Sequence, residues 1–264
     1  MLSEKMPLAI TSRDNPRLKH LRGLLEQSSA RRKSGQTVLE GVHLLDAYQR
    51  AGFTPESIFF SESMLTHPEV NDLLDGWKQV PRFVLPDALY KELRTLGQGI
   101  DIMALINSVH AALPERLTAD VLILEDVQDA GNVGTLLRTA AAAGIQQVIC
   151  TTGTASVWSP RVLRAGMGAQ FGLEIIEQAD ISDVIQRLDI PLHATSSHAS
   201  QSLYALNLKS PTAWLMGNEG QGATDIALSN AIAVTIPQPG GQESLNVAIA
   251  GAICMFEMVR QRLV

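Results

Sequence analysis

The chain has 264 residues, which allows one large or two modest domains with a buried core. Its composition, 45% hydrophobic and 18% charged, is ordinary for a globular protein, and no apolar run is long enough to span a membrane. The net charge of −6 argues at first against a nucleic-acid partner, and because the N-terminus lacks the apolar stretch of a signal peptide we expect a cytoplasmic protein.

The first hundred residues alternate between helical and extended patterns. Asp14-Asn15-Pro16 is typical of a helix N-terminus with proline in the first turn. In chain order we then expect a helix to about Gln27, a basic loop over Ser28–Gly35, a strand over Thr37–Gly41, a helix over Val42–Ala51, a strand over Ser57–Phe60, a helix over Pro68–Trp77, a strand over Arg82–Leu85, a helix over Pro86–Leu96 and a strand over Ile102–Ile106. This alternation predicts a small α/β domain over residues 14–107, preceded by a flexible N-terminus over residues 1–13.

A second α/β series follows residues 108–119, which lack periodicity and contain Pro114, so we place a linker there and a second domain over residues 120–264. Its predicted elements are a strand over Val121–Glu125, a helix over Val133–Ala143, a strand over Gln147–Cys150, a helix over Arg161–Met167, strands over Leu173–Ile176, Pro191–Thr195, Trp214–Met216 and Ala233–Ile236, and a helix over Leu245–Arg262. The two cysteines, Cys150 and Cys254, each lie in apolar sequence, so we expect buried thiols and neither a disulfide nor a metal site.

The charge is unevenly distributed along the chain. Residues 1–116 carry 14 basic and 14 acidic side chains, whereas residues 117–264 carry 7 and 13 and account for the whole net charge. A local basic excess lies between positions 13 and 33 and comprises Arg13, Arg17, Lys19, Arg22, Arg31, Arg32 and Lys33. This excess fits either a surface that follows an RNA phosphate backbone or an ordinary solvated helix face.

Two blocks near the end of the chain indicate a ligand site. Gly217-Asn218-Glu219-Gly220-Gln221-Gly222 follows an apolar strand, and a glycine loop in this place brings backbone groups close to a ligand. The carboxylate of Glu219 makes phosphate a poor ligand and favours a neutral or cationic one. Further on, Ile236-Pro237 and Ser244-Leu245-Asn246-Val247-Ala248 precede the last helix.

A third block, residues 129–138, lies between a predicted strand and a helix. Asn132 is placed to cap that helix, and Arg138 lies one to two turns into it among leucines and alanines. Arg138 fits either a functional cation or a surface arginine that extends over alanines. The glycines do not have the spacing of a dinucleotide-binding fingerprint, which argues against a dehydrogenase.

Together the three blocks resemble the motifs of the SpoU/TrmH-type RNA 2′-O-ribose methyltransferases of the SPOUT class. The matching patterns are Asn-x-Gly-x-x-x-Arg from Asn132 to Arg138, Gly-Asn-Glu-Gly-x-Gly from Gly217 to Gly222, and Ile-Pro-x-x-Gly-x-x-x-Ser-Leu-Asn-Val-Ala from Ile236 to Ala248. Their order also fits, and Val38-Leu39-Glu40-Gly41 is similar to the start of the family's substrate-binding domain. Gln238-Pro239 departs from the family, which often has methionine after Ile-Pro.

The resemblance implies an α/β fold with a C-terminal trefoil-knotted, mostly parallel sheet, a smaller N-terminal substrate-binding domain, and a homodimer with its active site near the dimer interface. It implies S-adenosylmethionine (AdoMet) as cofactor, with no metal. The implied catalytic residues are Arg138, Asn132, Glu219, Ser244 and Asn246. The implied cofactor-binding residues are Leu215, Gly217, Asn218, Gly220, Ile236, Pro237, Leu245, Asn246 and Val247. The RNA-binding residues would be the seven basic side chains of positions 13–33 and Arg164, for which helix termination and packing is the alternative.

The implied activity is methyl transfer to a ribose 2′-hydroxyl, with ribosomal RNA favoured over transfer RNA because of the added N-terminal domain. Since guanidinium keeps its charge in proteins, we expect Arg138 to hold a phosphate or stabilise a developing alkoxide, with Glu219 fixing Arg138 or orienting the nucleotide. Two other functions stay open: an RNA-binding homologue that has lost catalysis and a nucleotide-binding α/β enzyme.

Overall fold

The computed structural model describes residues 7–196, 199–241 and 244–263, and the chain forms two compact units. The first unit contains the described residues up to Ser108 together with Trp158–Phe171. The second contains Val109–Val157 and the described residues from Gly172 onward. A segment from within the predicted second domain thus packs with the first unit.

The first unit is a mixed five-stranded sheet with helices. Its strands are β1 (Leu8–Ala9), β2 (Gln36–Glu40), β3 (Ser57–Ser61), β4 (Arg82–Leu85) and β5 (Ile102–Asn107), and its helices up to this point are α1 (Pro16–Glu26), α2 (Ser28–Ser34), α3 (Val42–Arg50), α4 (Pro68–Gly76) and α5 (Asp87–Lys91). The strand order is β1-β4-β3-β5-β2, in which β1, β4 and β3 are parallel and β5 is antiparallel to both of its neighbours.

Helix α1 packs on this sheet through the leucine stripe that the sequence predicts. Leu18, Leu21 and Leu24 are fully buried and share a core cluster with Phe59 of β3 and Phe83 of β4. The side chain of Asn15 accepts a hydrogen bond from the Arg17 backbone N–H at 2.9 Å, which caps the helix as expected.

The structure differs in detail from three predictions for the first unit. Within the predicted flexible segment over residues 1–13, Leu8–Ala9 form β1 against β4 and Ile10 is buried; residues 1–6 of that segment lie outside the described residues. The predicted basic loop is instead helix α2, which ends at Gly35 in the left-handed conformation that glycine adopts readily. The predicted helix over Pro86–Leu96 is only the short α5, because Thr95 and Leu96 bond to the Glu40 carboxylate.

The second unit is a six-stranded sheet in which every neighbouring pair is parallel, as the resemblance implies. Its strands are β6 (Val121–Leu124), β7 (Gln147–Thr151), β8 (Glu174–Ala179), β9 (Leu192–Thr195), β10 (Ala213–Met216) and β11 (Ile232–Val234). Its helices are α6 (Ala130–Ala142), α8 (Ile181–Gln186), α9 (Asp225–Asn230) and α10 (Val247–Arg262), while α7 (Pro160–Gly166) belongs to the first unit. The sequence patterns do not predict α8 and α9.

The strand order β11-β9-β10-β6-β7-β8 places a change of direction beside β6. From β6 the chain moves outward to β7 and β8, and it returns to the other side of β6 for the remaining strands. In open parallel sheets, ligands bind beyond the carboxyl ends of the strands at such a point. The loops that follow β6 and β10 are therefore the place for a site.

Helices α6 and α10 pack closely against one another. A Cβ atom built on Gly251 of α10 would lie 2.4 Å from the Leu136 side chain of α6, so glycine permits this approach. Cys150 and Cys254 are buried free thiols, as predicted. Among residues 7–196, 199–241 and 244–263, no helix is long and apolar enough to cross a bilayer.

Candidate active site at the carboxyl ends of the parallel strands

The loop after β10 is closed on itself. Asn218 and Gly222 exchange two backbone hydrogen bonds, of 3.0 and 2.8 Å, and the Asn218 side-chain oxygen accepts from the N–H groups of Gly220 and Gln221. A Cβ atom on Gly217 would lie 2.3–2.6 Å from the backbone of Gly222 and Ala223. Glycine at 217 is therefore required for the loop to fold back on the end of the strand.

Two side chains of the turn after β6 hold this loop in place. The buried carboxylate of Glu125 accepts from the backbone and hydroxyl of Thr224, and Asn218 donates its side-chain amide to Asp126. Asp126 itself has a φ of 54°, a conformation that non-glycine residues adopt rarely. These contacts fix the glycine loop against the turn that leads into α6.

A line of hydrogen bonds connects the three sequence blocks. The Asn246 amide group donates to the Asn132 side-chain oxygen at 3.0 Å, and the Asn132 amide group donates to Glu219 Oε1 at 3.0 Å. Glu219 also accepts from the backbone N–H groups of Gln128 and Asp129, at 3.2 and 3.1 Å. We call Asn246, Asn132 and Glu219 the amide relay.

The direction of the amide relay is fixed at one end by helix α10. The Asn246 side-chain oxygen caps that helix by accepting from the N–H groups of Ala248 and Ile249. The Asn246 side-chain nitrogen must then face Asn132 and donate to its side-chain oxygen. The side-chain nitrogen of Asn132 is therefore left to donate to Glu219. The relay therefore requires a pure acceptor at its other end, and an ionised carboxylate is such a group.

The surroundings of Glu219 keep that carboxylate charged. Partial burial acts to raise its pKa, but the hydrogen bond from Asn132 and those from nearby backbone N–H groups outweigh burial and lower the pKa below its usual range. Glu219 is thus an ionised acceptor at neutral pH and has no proton to give.

A cleft of about 510 Å³ lies between the glycine loop, the segment after β11 and the start of α10. Its described lining combines backbone-rich loops with apolar side chains such as Leu228, Val234 and Leu245, and Glu219 also faces it. Among the described residues that line it there is no lysine, arginine or histidine. A cleft of this composition suits a neutral or cationic ligand better than a phosphorylated one.

Most of the predicted cofactor-binding residues line this cleft, namely Gly217, Asn218, Gly220, Ile236, Leu245, Asn246 and Val247. Two of them do not: Leu215 is fully buried in β10, and Pro237 is exposed and lies outside the lining. Of the predicted catalytic residues, Glu219, Ser244 and Asn246 line the cleft, and Asn132 joins it through the amide relay. Arg138 is an exposed residue of α6 outside the lining.

The structure differs from two expectations about these side chains. Helix α6 is capped by Asp129, which accepts from the Asn132 backbone N–H at 2.8 Å, and the Asn132 side chain is left to bridge Asn246 and Glu219. Of the two roles expected for Glu219, pairing with Arg138 is not observed among the described residues, and the Glu219 oxygens accept from Gln128, Asp129 and Asn132. No ion pair to Arg138 is formed by the residues that the structure describes.

The basic residues of the first unit differ in how far their charges are neutralised. Arg13 and Arg22 pair with Glu92 and Lys19 pairs with Asp14, while Arg17 lies over the Phe83 ring at 4.7 Å. Arg31 donates to the Leu24 carbonyl oxygen, and its partial burial lowers its pKa. Arg32 and Lys33 are exposed and have no acidic partner among the described residues.

Arg164 lies in α7 within the first unit. It donates to the Thr95 hydroxyl at 2.7 Å and lies 3.9 Å from the buried carboxylate of Glu40. Its side chain is 42% exposed, so part of the guanidinium group remains accessible to RNA.

The residues that hold the glycine loop and Glu219 in place were not predicted from the sequence. Asp126, Gln128 and Asp129 fix Asn218 and Glu219, yet a turn rich in acidic and amide residues is not distinctive in a sequence. The sequence position of Glu125 does indicate a structural role, because a carboxylate at the end of a buried strand needs a hydrogen-bonding partner. Among the described residues, no cluster of three or more histidine, cysteine, aspartate or glutamate side chains could hold a metal ion.

Known proteins resemble the chain over most of its length. The profile of the SpoU rRNA Methylase family matches residues 120–256, and that of the MRM3-like substrate binding domain matches residues 15–123. A 23S rRNA (guanosine-2′-O-)-methyltransferase of Bordetella pertussis is 31% identical, over 85% of this chain and 97% of that protein. The crystal structure of an RNA 2′-O ribose methyltransferase is 30% identical with a TM-score of 0.81, over 97% of this chain and 100% of that one. The AdoMet-bound rRNA methyltransferase of Sinorhizobium meliloti is 25% identical with a TM-score of 0.84, over 97% and 98%.

The directionality of the amide relay is testable by substitution. Asn132→Asp places a second carboxylate against Glu219, so we expect a loss of stability on the order of 1 kcal/mol near pH 8. The repulsion raises one pKa of the pair above its unfolded value, so the loss should shrink as the pH falls towards about pH 5 and one carboxylate takes up a proton. Urea unfolding at several pH values measures this.

The control for this prediction is Asn132→Ala, which removes the hydrogen bonds without adding charge and should lose stability with little dependence on pH. The double variant Asn132→Asp with Glu219→Gln supplies a donor at position 219 and should remove most of the pH dependence. A pH profile of Asn132→Asp parallel to that of the wild type would contradict the relay.

Proposed function

The chain belongs to the SpoU rRNA methylase family, and from this membership we propose that it transfers a methyl group from AdoMet to a ribose 2′-hydroxyl of ribosomal RNA. The observation that carries the proposal is that the three blocks of the sequence meet at one cleft beyond the carboxyl ends of β6 and β10. Relatives named as 23S rRNA guanosine-2′-O-methyltransferases support ribosomal RNA, and guanosine is the base we favour. Transfer RNA is the alternative.

The residues of the cleft fit AdoMet. The cofactor is cationic at sulfur and at its amino group, and the described lining offers a carboxylate and neutral amides with no basic side chain. The apolar part of the lining includes Ile236, Leu245 and Val247, which suits a planar base. When bound, AdoMet supplies an electrophilic methyl group on a sulfonium sulfur.

The described residues around the cleft act by position and charge. The amide relay commits Asn132, Asn246 and Glu219 to one another, and since Glu219 already accepts several hydrogen bonds it is a poor general base. Attack by the 2′-hydroxyl oxygen forms a bond to the methyl carbon as the methyl–sulfur bond breaks, so S-adenosylhomocysteine would leave and the hydroxyl proton would pass to water. We propose that Ser244 and the amide relay orient the ribose for this attack.

We assign Arg138 to the developing negative charge or to the phosphate beside the reacting nucleotide. It is exposed and has no acidic partner among the described residues, so its charge is free to meet RNA. It lies on α6, two turns after Asn132, which places it on the element that carries the centre of the amide relay.

Arg138→Ala should lower methyl transfer about 100-fold or more, because a positioned cation that stabilises transition-state charge is worth that much. AdoMet binding should stay within about threefold of the wild type, since Arg138 lies outside the cleft. Transfer of tritiated methyl to ribosomal RNA and calorimetry with AdoMet measure the two effects. Lys209→Ala, an exposed cation of the same unit, is the control. Wild-type turnover by Arg138→Ala would refute the assignment, and Arg138→Lys tests whether a point charge suffices.

We propose that the first unit binds the RNA. The match to a substrate binding domain over residues 15–123 supports this, as do Arg32 and Lys33 at the end of α2, which have no acidic partner in the described part of the chain. Among the described residues, no acidic side chain neutralises the charges of Arg32 and Lys33. Arg13, Lys19 and Arg22, by contrast, form ion pairs with acidic neighbours. Sequence-independent contacts to phosphate would supply much of the affinity.

Charge reversal of Arg32 or Lys33 should weaken RNA binding and lower the slope of log affinity against log salt by about one for each phosphate that the protein no longer neutralises. Lys78→Glu makes the same change of charge at an exposed lysine of the same unit and should have a smaller effect. Fluorescence anisotropy with an rRNA fragment at several salt concentrations provides the measurement. Equal weakening in the three variants would show that only net charge matters.

We propose that the protein acts as a homodimer through the outer face of α10. Ile249 and Phe256 are 52% and 47% exposed and lie seven residues apart, with the partly buried Ile253 between them, so they form one apolar stripe. Since α10 begins at Asn246 and packs on α6, this stripe adjoins the active site. A second copy there could complete the surroundings of Arg138. The trefoil knot and a cytoplasmic location are further parts of the proposal.

Phe256→Glu should convert a dimer into a monomer, because it puts a charge into the apolar stripe that the two copies would bury. Size-exclusion chromatography with light scattering measures the mass. Leu65→Glu, at another exposed apolar residue, is the control and should leave the mass unchanged. A wild-type monomer, or a Phe256→Glu dimer as stable as the wild type, would contradict this interface.

A further inference from the structure

The side chain of Gln238 carries a polar atom that the described part of the chain leaves without a hydrogen-bond partner. It lines the cleft in the turn after Pro237, where its backbone oxygen accepts from the Gly241 N–H at 3.1 Å. Its side-chain oxygen Oε1 is fully buried and has no hydrogen-bond partner among the residues that the structure describes. A buried acceptor without a donor costs about 1–3 kcal/mol, so a group of the bound ligand is the natural partner.

The surroundings of this amide restrict the chemistry of its partner. Ile236, two residues earlier, is only 8% exposed, and Leu228 and Val234 also line the cleft. An ammonium or carboxylate group would lose its hydration here against a neutral amide, which costs more than one hydrogen bond returns. A neutral, planar heterocycle with donor and acceptor side by side fits both the apolar walls and the amide.

Adenine has this arrangement of groups. A glutamine amide pairs with its exocyclic N6 amine and its ring nitrogen N7 through two parallel hydrogen bonds, the pattern by which glutamine reads adenine elsewhere. RNA is an unsuitable source of that adenine, because Oε1 has no exposed area on the protein surface, where a polymer would lie. A small cofactor can carry an adenine into the cleft.

We propose that the side-chain amide of Gln238 selects the adenine of bound AdoMet, with Oε1 accepting from the N6 amine and Nε2 donating to N7. This role rests on the proposed function, since it takes AdoMet as the ligand of the cleft. It makes Gln238 a determinant of cofactor specificity that is separate from the amide relay.

Calorimetry with three ligands tests the proposal without any turnover. The ligands are S-adenosylhomocysteine, its inosine analogue, in which oxygen replaces the N6 amine, and its 7-deaza analogue, which lacks the N7 acceptor. The wild type should bind S-adenosylhomocysteine about tenfold or more tightly than either analogue. Gln238→Met keeps the length of the side chain without its polar atoms and should reduce both preferences to about threefold or less.

Gln238→Glu separates the two hydrogen bonds. A carboxylate still accepts from the N6 amine but cannot donate to N7, so this variant should keep its preference over the inosine analogue and lose its preference over the 7-deaza analogue. Gln146→Met alters an exposed glutamine outside the lining of the cleft and should retain both wild-type preferences. Cofactor-free Gln238→Met should melt at or above the wild-type temperature, because it removes an unsatisfied buried atom.

Wild-type preferences in Gln238→Met would overturn the proposal, as would a lower melting temperature of the cofactor-free variant, which would indicate a structural role for the amide. Failure of the wild type to bind S-adenosylhomocysteine would overturn the proposed function as well. Binding of S-adenosylhomocysteine by a wild type that does not discriminate between the analogues would overturn only the role of Gln238.

Discussion

The N-cap of α10 determines the orientation of the polar groups in this site. Asn246 must turn its oxygen towards the N–H groups of Ala248 and Ile249, and its nitrogen is then committed to Asn132. Because the Asn132 oxygen accepts from Asn246, only its side-chain nitrogen is left to donate. Glu219 accepts that hydrogen bond and is the last member of the amide relay. A helix cap, whose ordinary role is to stabilise a helix end, here fixes the position of a carboxylate at the mouth of a cleft.

The topology of the sheet explains why these three residues can meet although they are up to 114 positions apart. Strands β6 and β10 are neighbours with their carboxyl ends at the same edge, so the turn into α6 and the glycine loop arise side by side. Helix α10 returns along α6 and brings its own N-terminus to that edge. The parallel sheet thus brings the turn into α6 and the glycine loop close together. Gly217 and the hydrogen bonds of Glu125 and Asp126 then fix the position of the glycine loop.

Much of this arrangement was predictable from the sequence, because its signals are local. The leucine stripe of α1, the alternation of strands and helices and the three blocks in their order depend on spacing alone. Choices among equivalent partners were not predictable. Asp129 and Asn132 are both good helix caps, and only the three-dimensional demand of Asn246 on Asn132 decides that Asp129 takes the role. The partners of Glu219 were not predictable for the same reason, since two backbone N–H groups and Asn132 donate to its carboxylate. The membership of residues 158–171 in the first unit depends on contacts such as that of Thr37 with the Trp158 carbonyl group, which lie 121 positions apart.

We propose that the cleft and the amide relay serve methyl transfer to a ribose hydroxyl. Incubation of the protein with AdoMet and protein-free ribosomal RNA, followed by digestion to nucleosides, mass spectrometry and mapping of the modified position, tests this function directly. We expect one 2′-O-methylated nucleoside at a single site, which appears only when protein and AdoMet are both present. A methyl group on a base, or AdoMet binding without transfer to any ribosomal or transfer RNA, would contradict it.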